Sequence, residues 1–487
     1  MGGAFVAVAE DSLAQYWNPA GMATQASFDI GVPANAKAEF TGQILKDAST
    51  LSGLADRFAK VQSAQKNGNP LDVDQFASVL QTLETLGGLN KPDKGVLVEA
   101  QGGLNMRRSH FALSVNNFTS AGASPFADTR NIGLGASAGN SGVNYSGSNI
   151  ADPADPALIS ARDTAKAAID TIGFNNLQQL IGPGLTSGCV CDSTKLANAL
   201  VNTAAANGLS AEQIREAAVK MANSAPAAKP VLQNADSGNP YSDNSSNATL
   251  RGISLFEVSL GYGHRFFLND LSWGLNLKVL SGRVGYYKQQ ILTENVNGNN
   301  VFSDYDKNTK QSIQPGVDLG LLYDKRESWR TKLGVVARNV NSPSFDQPDA
   351  AAANGEQRYR VPAQVRAGLA FYPFKNSFWV IASDVDLTSN ITPIPGFSSR
   401  MWGLGTELNV GDPAMLGLAL RAGVMNNMAE AASKPTLTAG VGLKISHFFL
   451  DVAGAVSTGT QEVNSESSGI HKVPQNAQVG VALGLNW

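Results

Sequence analysis

A two-residue period in hydrophobicity, running from about Arg251 to the last residue, constrains this chain more than any other feature. In the final segment Val479, Val481, Leu483, Leu485 and Trp487 alternate with Gln478, Gly480, Ala482, Gly484 and Asn486. Residues 271–280, 329–337, 363–371, 402–410 and 416–424 repeat the pattern. A strand sends successive side chains to opposite faces, so each segment has one apolar face and one polar or small face. A soluble sandwich and a transmembrane barrel both produce such alternation. The second face selects between them. It is dominated by glycine and charge rather than by the Lys, Glu and Thr of a solvated sheet. Glycine is 49 of 487 residues and only 16% are charged, against roughly 7% and 25% in soluble domains.

The fold expected is therefore an all-β transmembrane protein, a closed antiparallel β-barrel in the outer membrane of a Gram-negative-type bacterium, with membrane lipid as its first partner. No run of about 18 apolar residues exists, so no helix is expected to span. Trp487, an aromatic residue ending the cleanest strand, resembles the C-terminal signal read by outer-membrane insertion machinery. Candidate strands lie near 26–40, 95–107, 110–121 and 128–143, with about eleven more from 251. Single-chain bacterial barrels have even strand counts, so about 14 strands are expected. No charged n-region followed by an apolar h-region opens the chain, and an exported barrel needs one. A signal peptide already removed ahead of Met1 is the expectation.

Two stretches change the period to 3.6 and read as helical insertions, about 41–90 and 157–224. In the first, Ile44, Ala48, Leu51, Leu54, Phe58 and Val61 recur at helical spacing, followed by Val73, Phe76, Val79, Leu80, Leu83 and Leu86. Gly87-Gly88 is the expected stop. In the second, Ser210 with Gln213 forms a capping box before Ile214, Ala218 and Met221. Pro226, Pro230 and the Asn/Ser-rich 234–248 are expected to form an exposed loop. The apolar stripes need a cover, supplied by each other or by an envelope protein partner. Cys189 and Cys191 are the only thiols. In an exported setting they read as a disulfide staple of a loop, over redox or metal chemistry. Two thiolates with no nearby His pair do not complete a zinc site.

Alternation also assigns a lumen face. Lys278, Arg330, Lys332, Arg338, Arg366, Arg421 and Lys444 point inward with Glu257, Asp318, Asp384, Asp386 and Glu407. Arg366 and Asp384 or Asp386 lie on adjacent strands, close enough to pair. One reading is a salt-bridged network that shapes or shuts the lumen, built on Arg330, Lys332, Arg366, Asp384, Asp386, Glu407 and Arg421. The other is a polar conduit for small solutes.

Other chemistries are not indicated. Net charge is −3, so no general basic surface for nucleic acid is expected. No complete P-loop, GxGxxG, HExxH or GxSxG occurs, so no catalytic set and no cofactor are expected. Asp304, Asp306 and Asn308 stand at calcium-loop positions, but Thr309 replaces the required glycine and Pro315 the bidentate Glu. This segment reads as a hairpin tip, and no metal site is expected.

Met1-Gly2-Gly3-Ala4, Val6-Ala7-Val8-Ala9-Glu10-Asp11 and Trp17-Asn18-Pro19-Ala20-Gly21-Met22 resemble the N-terminal signature of the FadL-type outer-membrane superfamily. Within it the chain is most similar to the TraF-like branch, named for a conjugal-transfer operon. That likeness rests on the early helical insertions, on Pro362–Gly368 leading into Ser383–Thr388, and on Leu420-Arg421-Ala422-Gly423. The resemblance implies 14 strands around an N-terminal hatch, residues 1–25, with the barrel over 26–487. Phe5, Tyr16, Trp17, Asn18 and Pro19 are the candidate hatch or ligand residues; capping the lumen and helping the barrel close is their plainer role. The resemblance implies passage of a small hydrophobic solute across the outer membrane, leaving sideways through the wall. The alternative is a non-transporting envelope scaffold of a conjugation- or secretion-type assembly.

Overall fold

The computed structural model describes residues 1–23, 28–51, 63, 67–131, 143, 145, 149–181, 190, 192–235, 244–266, 270–290, 301–375, 378–412, 415–465 and 469–487. Fourteen antiparallel strands close into one barrel. They are β1 (Phe28–Thr41), β2 (Gly95–Arg108), β3 (Phe111–Phe126), β4 (Asn247–Arg265), β5 (Leu271–Gln290), β6 (Thr309–Lys325) and β7 (Thr331–Arg338). The circle continues with β8 (Gln364–Phe371), β9 (Trp379–Asp386), β10 (Met401–Asp412), β11 (Leu416–Asn427), β12 (Thr436–Ile445), β13 (Phe448–Ser457) and β14 (Asn476–Asn486). β14 pairs with β1, from Asp29 opposite Asn486 to Glu39 opposite Asn476, so the barrel has no edge strand. The expected strand at 128–143 is absent where it is described: 129–131 form bends, and 132–142 lie outside the described residues. β3 instead runs to Phe126, and the chain rejoins the wall only at Asn247.

The alternation maps onto the wall as expected. Leu260, Leu277, Val279, Leu333, Leu437, Val479 and Val481 are exposed on the outside, whereas Ser259, Asn276, Lys278 and Lys332 are buried inside. A continuous apolar exterior of this kind suits lipid and not water. One rim has short connections (109–110, 266–270, 326–330, 372–378, 413–415 and 446–447), and the other carries the long loops. Aromatic pairs ring the short-turn rim: Phe111 with Tyr262, Phe266 with Trp273, Tyr323 with Trp329, Phe374 with Phe378, and Phe28 with Trp487. This is the interfacial girdle of a membrane barrel.

The inward glycines have a steric cause. Gly263 faces Gly274, Gly274 faces Gly320, Gly334 faces Gly368, and Gly405 faces Gly423 across neighbouring strands. A Cβ on Gly263 would lie 2.8 Å from the Pro19 carbonyl oxygen, and one on Gly334 2.7 Å from that of Val6. On Gly274 or Gly403 it would collide with the backbone of Pro19 or Gly2. The row is clearance for residues 1–23, which cross the lumen with their backbone against the wall. This segment contains α1 (Ala14–Trp17) and a 3-10 turn at Pro19–Ala23. Ala4, Val6, Ala14, Ala20 and Met22 are buried within it.

The helices between β1 and β2 and between β3 and β4 build one unit. They are α2 (Val73–Leu89), α3 (Pro156–Ile172), α4 (Phe174–Ile181), α5 (Ser193–Ala206) and α6 (Ala211–Asn234). α2 packs on α6, and α3 on both α5 and α6. The shared core holds Phe76, Leu80, Leu83, Ile169, Leu200, Ile214, Met221 and Leu232. Residues 44–51 are also helical. Leu54, Phe58 and Val61 lie outside the described residues, as do Cys189 and Cys191.

Two expectations are corrected here. α2 does not stop at Gly87-Gly88 but continues to Leu89. A Cβ on Gly87 would lie 2.6 Å from Val231 Cγ2, so this glycine lets α2 approach α6. Pro226 and Pro230 are inside α6 rather than in a loop. Both are on its exposed side, while Ala225, Ala228, Val231 and Leu232 stay packed in the core. Burial of that face holds the helix together through two missing N–H groups. The Ser210–Gln213 capping box forms as expected.

Asp128 ties the two ends of the large insertion. Its carboxylate accepts from the Ser245 N–H and hydroxyl, each at 3.0 Å, and from the Asn131 amide at 2.7 Å. Desolvation pushes this carboxyl up, but these bonds and the Arg130 N–H outweigh it and hold it at about 2.

Candidate functional site

The N-terminal segment is fixed to the wall along its length, from Gly2, whose N–H donates to Thr438, through Gln15, which donates to Ser259, to Ala23, which accepts from Arg265. Buried Asn18 donates to the carbonyls of Val6 at 3.1 Å and Leu321 at 3.0 Å, and accepts from the Ala20 N–H at 3.1 Å. Asp384 of β9 accepts from the N–H groups of Phe5 at 2.8 Å and Val6 at 3.0 Å. Glu10 accepts from Lys332 of β7 and pairs with Arg326 at 3.0 Å; Arg326 also pairs with Asp324 at 2.8 Å. Arg107 of β2 donates to the carbonyls of Glu10 and, at 3.1 Å, Met22. Arg338 donates to the Tyr16 carbonyl and lies 3.9 Å above the Tyr16 ring.

The remaining lumen charges pair along the wall. Arg366 bonds Asp386, its register partner, at 2.6 Å, and Asp386 also accepts from the Met401 N–H at 2.8 Å. Lys278 bridges Glu257 at 3.1 Å and Asp318 at 2.9 Å. Arg421 bonds Glu407 at 2.6 Å and also Asp451. Lys444 donates to Asn486 at 3.3 Å.

Two members of the expected network sit differently. Arg330 is not in the lumen: β7 starts only at Thr331, and Arg330 is an exposed turn residue with φ 56°, donating to the Pro373 carbonyl. Alternation does not extend into a turn, so its inward phase was lost one residue before the strand. Asp384 serves the N-terminal backbone rather than Arg366. The sequence-based list also missed Asp29, Arg107, Asp324 and Asp451, which reverses its excess of cations. Parity could have found Arg107 and Asp451: Val98, Leu104 and Val452 face out, placing them inside. Nothing local marks Glu10, whose partner is 322 positions away.

Two cavities flank the segment. One, about 350 Å³, is polar, lined by Tyr16, Glu99, Asn116, Glu257, Lys278 and Asp318 and roofed by Tyr359–Pro362 of a long loop. The other, about 620 Å³, lies between Phe5, Val8, Leu13 and Trp17 on one side and Pro33–Ala36, Ala453–Ala455 and Gly480 on the other. Tyr16 borders both. Its ring stacks on Phe118 with centroids 5.6 Å apart and meets Trp17 edge-on at 5.2 Å; Trp17 in turn lies 4.9 Å from Phe5. Phe5, Tyr16 and Trp17 thus face space, whereas Asn18 and Pro19 are buried anchors that line neither cavity.

The larger cavity reaches an interruption in the wall. Between β1 and β2, Gly31 pairs with Asn105 and Ala34 with Gly102, with no pairing at Val32 and Pro33. Pro33 has no N–H to give the ladder, and a Pro inside a strand marks such a break.

Among the described residues no group of three or more metal-ligating side chains occurs. Asp304 and Asp306 belong to a short helix, Val301–Lys307, within the connection between the paired strands β5 and β6, and pair with Lys307 at 3.0 Å and Arg283 at 2.8 Å.

A closed lipid-facing barrel whose lumen is crossed and obstructed by its own N-terminal segment is the class of protein defined here. Residues 15–386 match the family described as F plasmid transfer operon, TraF, protein, and the chain belongs to that family. No curated protein matches the sequence. Among solved structures the chain is similar to the Ralstonia pickettii toluene transporter TbuX, at 10% identity and TM-score 0.40, covering 100% of this chain and 96% of that one. It is similar to the Pseudomonas putida toluene transporter TodX at 10% identity and TM-score 0.38, with the same coverage. A Pseudomonas aeruginosa FadL homologue gives 9% identity and TM-score 0.35, covering 100% and 95%.

Proposed function

We propose that this protein is an outer-membrane channel that passes a small hydrophobic solute through the cavity beside Phe5 and Trp17 and out sideways at Pro33. The observation that carries the reading is a coincidence of position. The more apolar cavity, about 620 Å³, borders the stretch where β1 and β2 are not paired. Val32 is exposed on the outside of that stretch, so its outer surface suits lipid. Residues 1–23 act as a hatch, and the short-turn rim faces the periplasm. A sideways exit also spares an apolar solute from crossing the Glu257–Lys278–Asp318 charges.

The test is native mass spectrometry of the full chain released from a mild nonionic detergent, with 4-phenylbutanol as the neutral apolar probe. Retention of one molecule is expected, and its loss in Gly480→Trp, because Gly480 lines the cavity from the lumen face and a Cβ there meets only Asn35 Cβ, at 3.6 Å, and the Ala34 carbonyl, at 3.8 Å. Equal retention in Gly480→Trp, or none in the parent at millimolar probe, would refute the reading.

A second reading, a non-transporting envelope scaffold, is favoured by how firmly the segment is tied at Asn18, Asp384 and Glu10. A barrel that binds no probe yet co-purifies with another envelope protein supports that alternative.

A further inference from the structure

We propose that the cavity beside Phe5 and Trp17 selects its solute by charge, taking an organic ammonium with an apolar body and rejecting the matching carboxylate. This rests on the reading of that cavity as a solute site. The charged side chains lining it are Glu10, Asp11, Glu407, Asp451 and Arg421. Glu10 is neutralised, since Lys332 and Arg326 together balance Glu10 and Asp324. Arg421 is shared by two carboxylates, Glu407 and Asp451, which leaves one negative charge over. Asp11 adds another. Its carboxylate accepts only the Leu13 N–H, at 2.9 Å, and has no ion-pair partner within 4 Å among the described residues. Arg107 of the wall pairs with Asp29, at 3.9 Å, rather than with Asp11.

The lining therefore presents an excess of about two negative charges beside the rings of Phe5 and Trp17. An anion entering would find one guanidinium with both sides occupied and two surplus carboxylates. An ammonium would find a carboxylate with spare acceptor capacity and ring faces that attract cations. The apolar body is still required, because Phe5, Val8, Leu13 and Trp17 line the cavity beside Asp11. A bare divalent ion does not fit, because no three carboxylates converge among the described residues.

The test compares three isosteres on the full chain in a nonionic detergent at pH 7.5: 4-phenylbutylammonium, 4-phenylbutanol and 4-phenylbutanoate. The ammonium is expected to bind about tenfold more tightly than the alcohol, and the carboxylate about tenfold more weakly, as one partly hydrated charge contact implies. Raising NaCl from about 0.05 to 0.5 M should erode the ammonium advantage and leave the alcohol unmoved, a measurement that needs no variant. Asp11→Asn should bring the ammonium within about threefold of the alcohol. Carboxylate binding as tight as ammonium binding, with the alcohol bound, overturns the charge selection and leaves the solute site standing. A tenfold ammonium preference that persists in Asp11→Asn overturns the role of Asp11. Failure of all three probes to bind overturns the solute site and this inference together.

Discussion

Substituting Gly334 by alanine should unseat the N-terminal segment while leaving the barrel intact. The new Cβ would stand 2.7 Å from the Val6 carbonyl oxygen and 3.1 Å from Asn18 Nδ2. Relief of such a contact needs about half an ångström or more of movement. β7 cannot supply it, since it is paired on both sides with β6 and β8. The segment must move instead. The Asn18–Val6 bond is already 3.1 Å long, so displacing Val6 breaks it and strains the companion bond to Leu321. A buried acceptor left unmet costs about 1–3 kcal/mol, which corresponds to a roughly five- to 150-fold increase in local opening. Hydrogen–deuterium exchange of peptides from residues 1–23 reads this directly, with the wall strands as internal reference. Gly480→Ala is the control: it adds the same methyl to the same face, but its Cβ meets Asn35 Cβ at 3.6 Å and the Ala34 carbonyl at 3.8 Å. Protection of residues 1–23 should be unchanged there. Parent-like protection in Gly334→Ala, or equal loss in both variants, would refute the account of the glycine row.

Asp384→Leu removes the acceptor for two N–H groups, so exchange at Phe5 and Val6 should accelerate at least tenfold while β9 stays protected; unchanged exchange there would contradict the assigned anchor. Asp128 makes a pH prediction. A carboxyl held at about 2 rather than 3.8 stabilises the fold above pH 4, and that contribution fades as pH falls from about 4 toward 2. Asp128→Asn should therefore lower the stability of the helical unit by about 2 kcal/mol at pH 7. Its gap from the parent, followed by circular dichroism on heating, should close toward pH 2. A gap independent of pH would contradict this.

Much of the wall was legible because a buried-inside, lipid-outside strand obeys a strict two-residue rule. The assignments of Lys278, Arg366, Asp386 and Glu407 needed only that rule and the partner strand. It failed at Arg330, where the strand had not begun, and at 128–131, which form no strand. Pro226 and Pro230 misled for another reason: local chemistry forbids a helix that tertiary burial enforces, along Ala225, Ala228 and Leu232. The glycine face was visible in the sequence, but its purpose was not, because clearance for residues 1–23 is a contact across some 300 positions. Pro33 was the neglected local signal. A proline with no ladder N–H, standing amid an otherwise strand-like run, already marked where the wall is not sewn.

The proposed route requires that solute in the large cavity meet the membrane at β1 and β2. A diazirine derivative of 4-phenylbutanol, photolysed on the full chain in lipid nanodiscs and mapped by peptide mass spectrometry, measures this. Labels should concentrate on Trp17, on Pro33–Ala36 and on Val32 at the outer side of the unpaired stretch. Labels confined to Tyr359–Pro362 and Ile391 near the long-loop mouth, or spread evenly over outward residues such as Leu277 and Leu437, would contradict it.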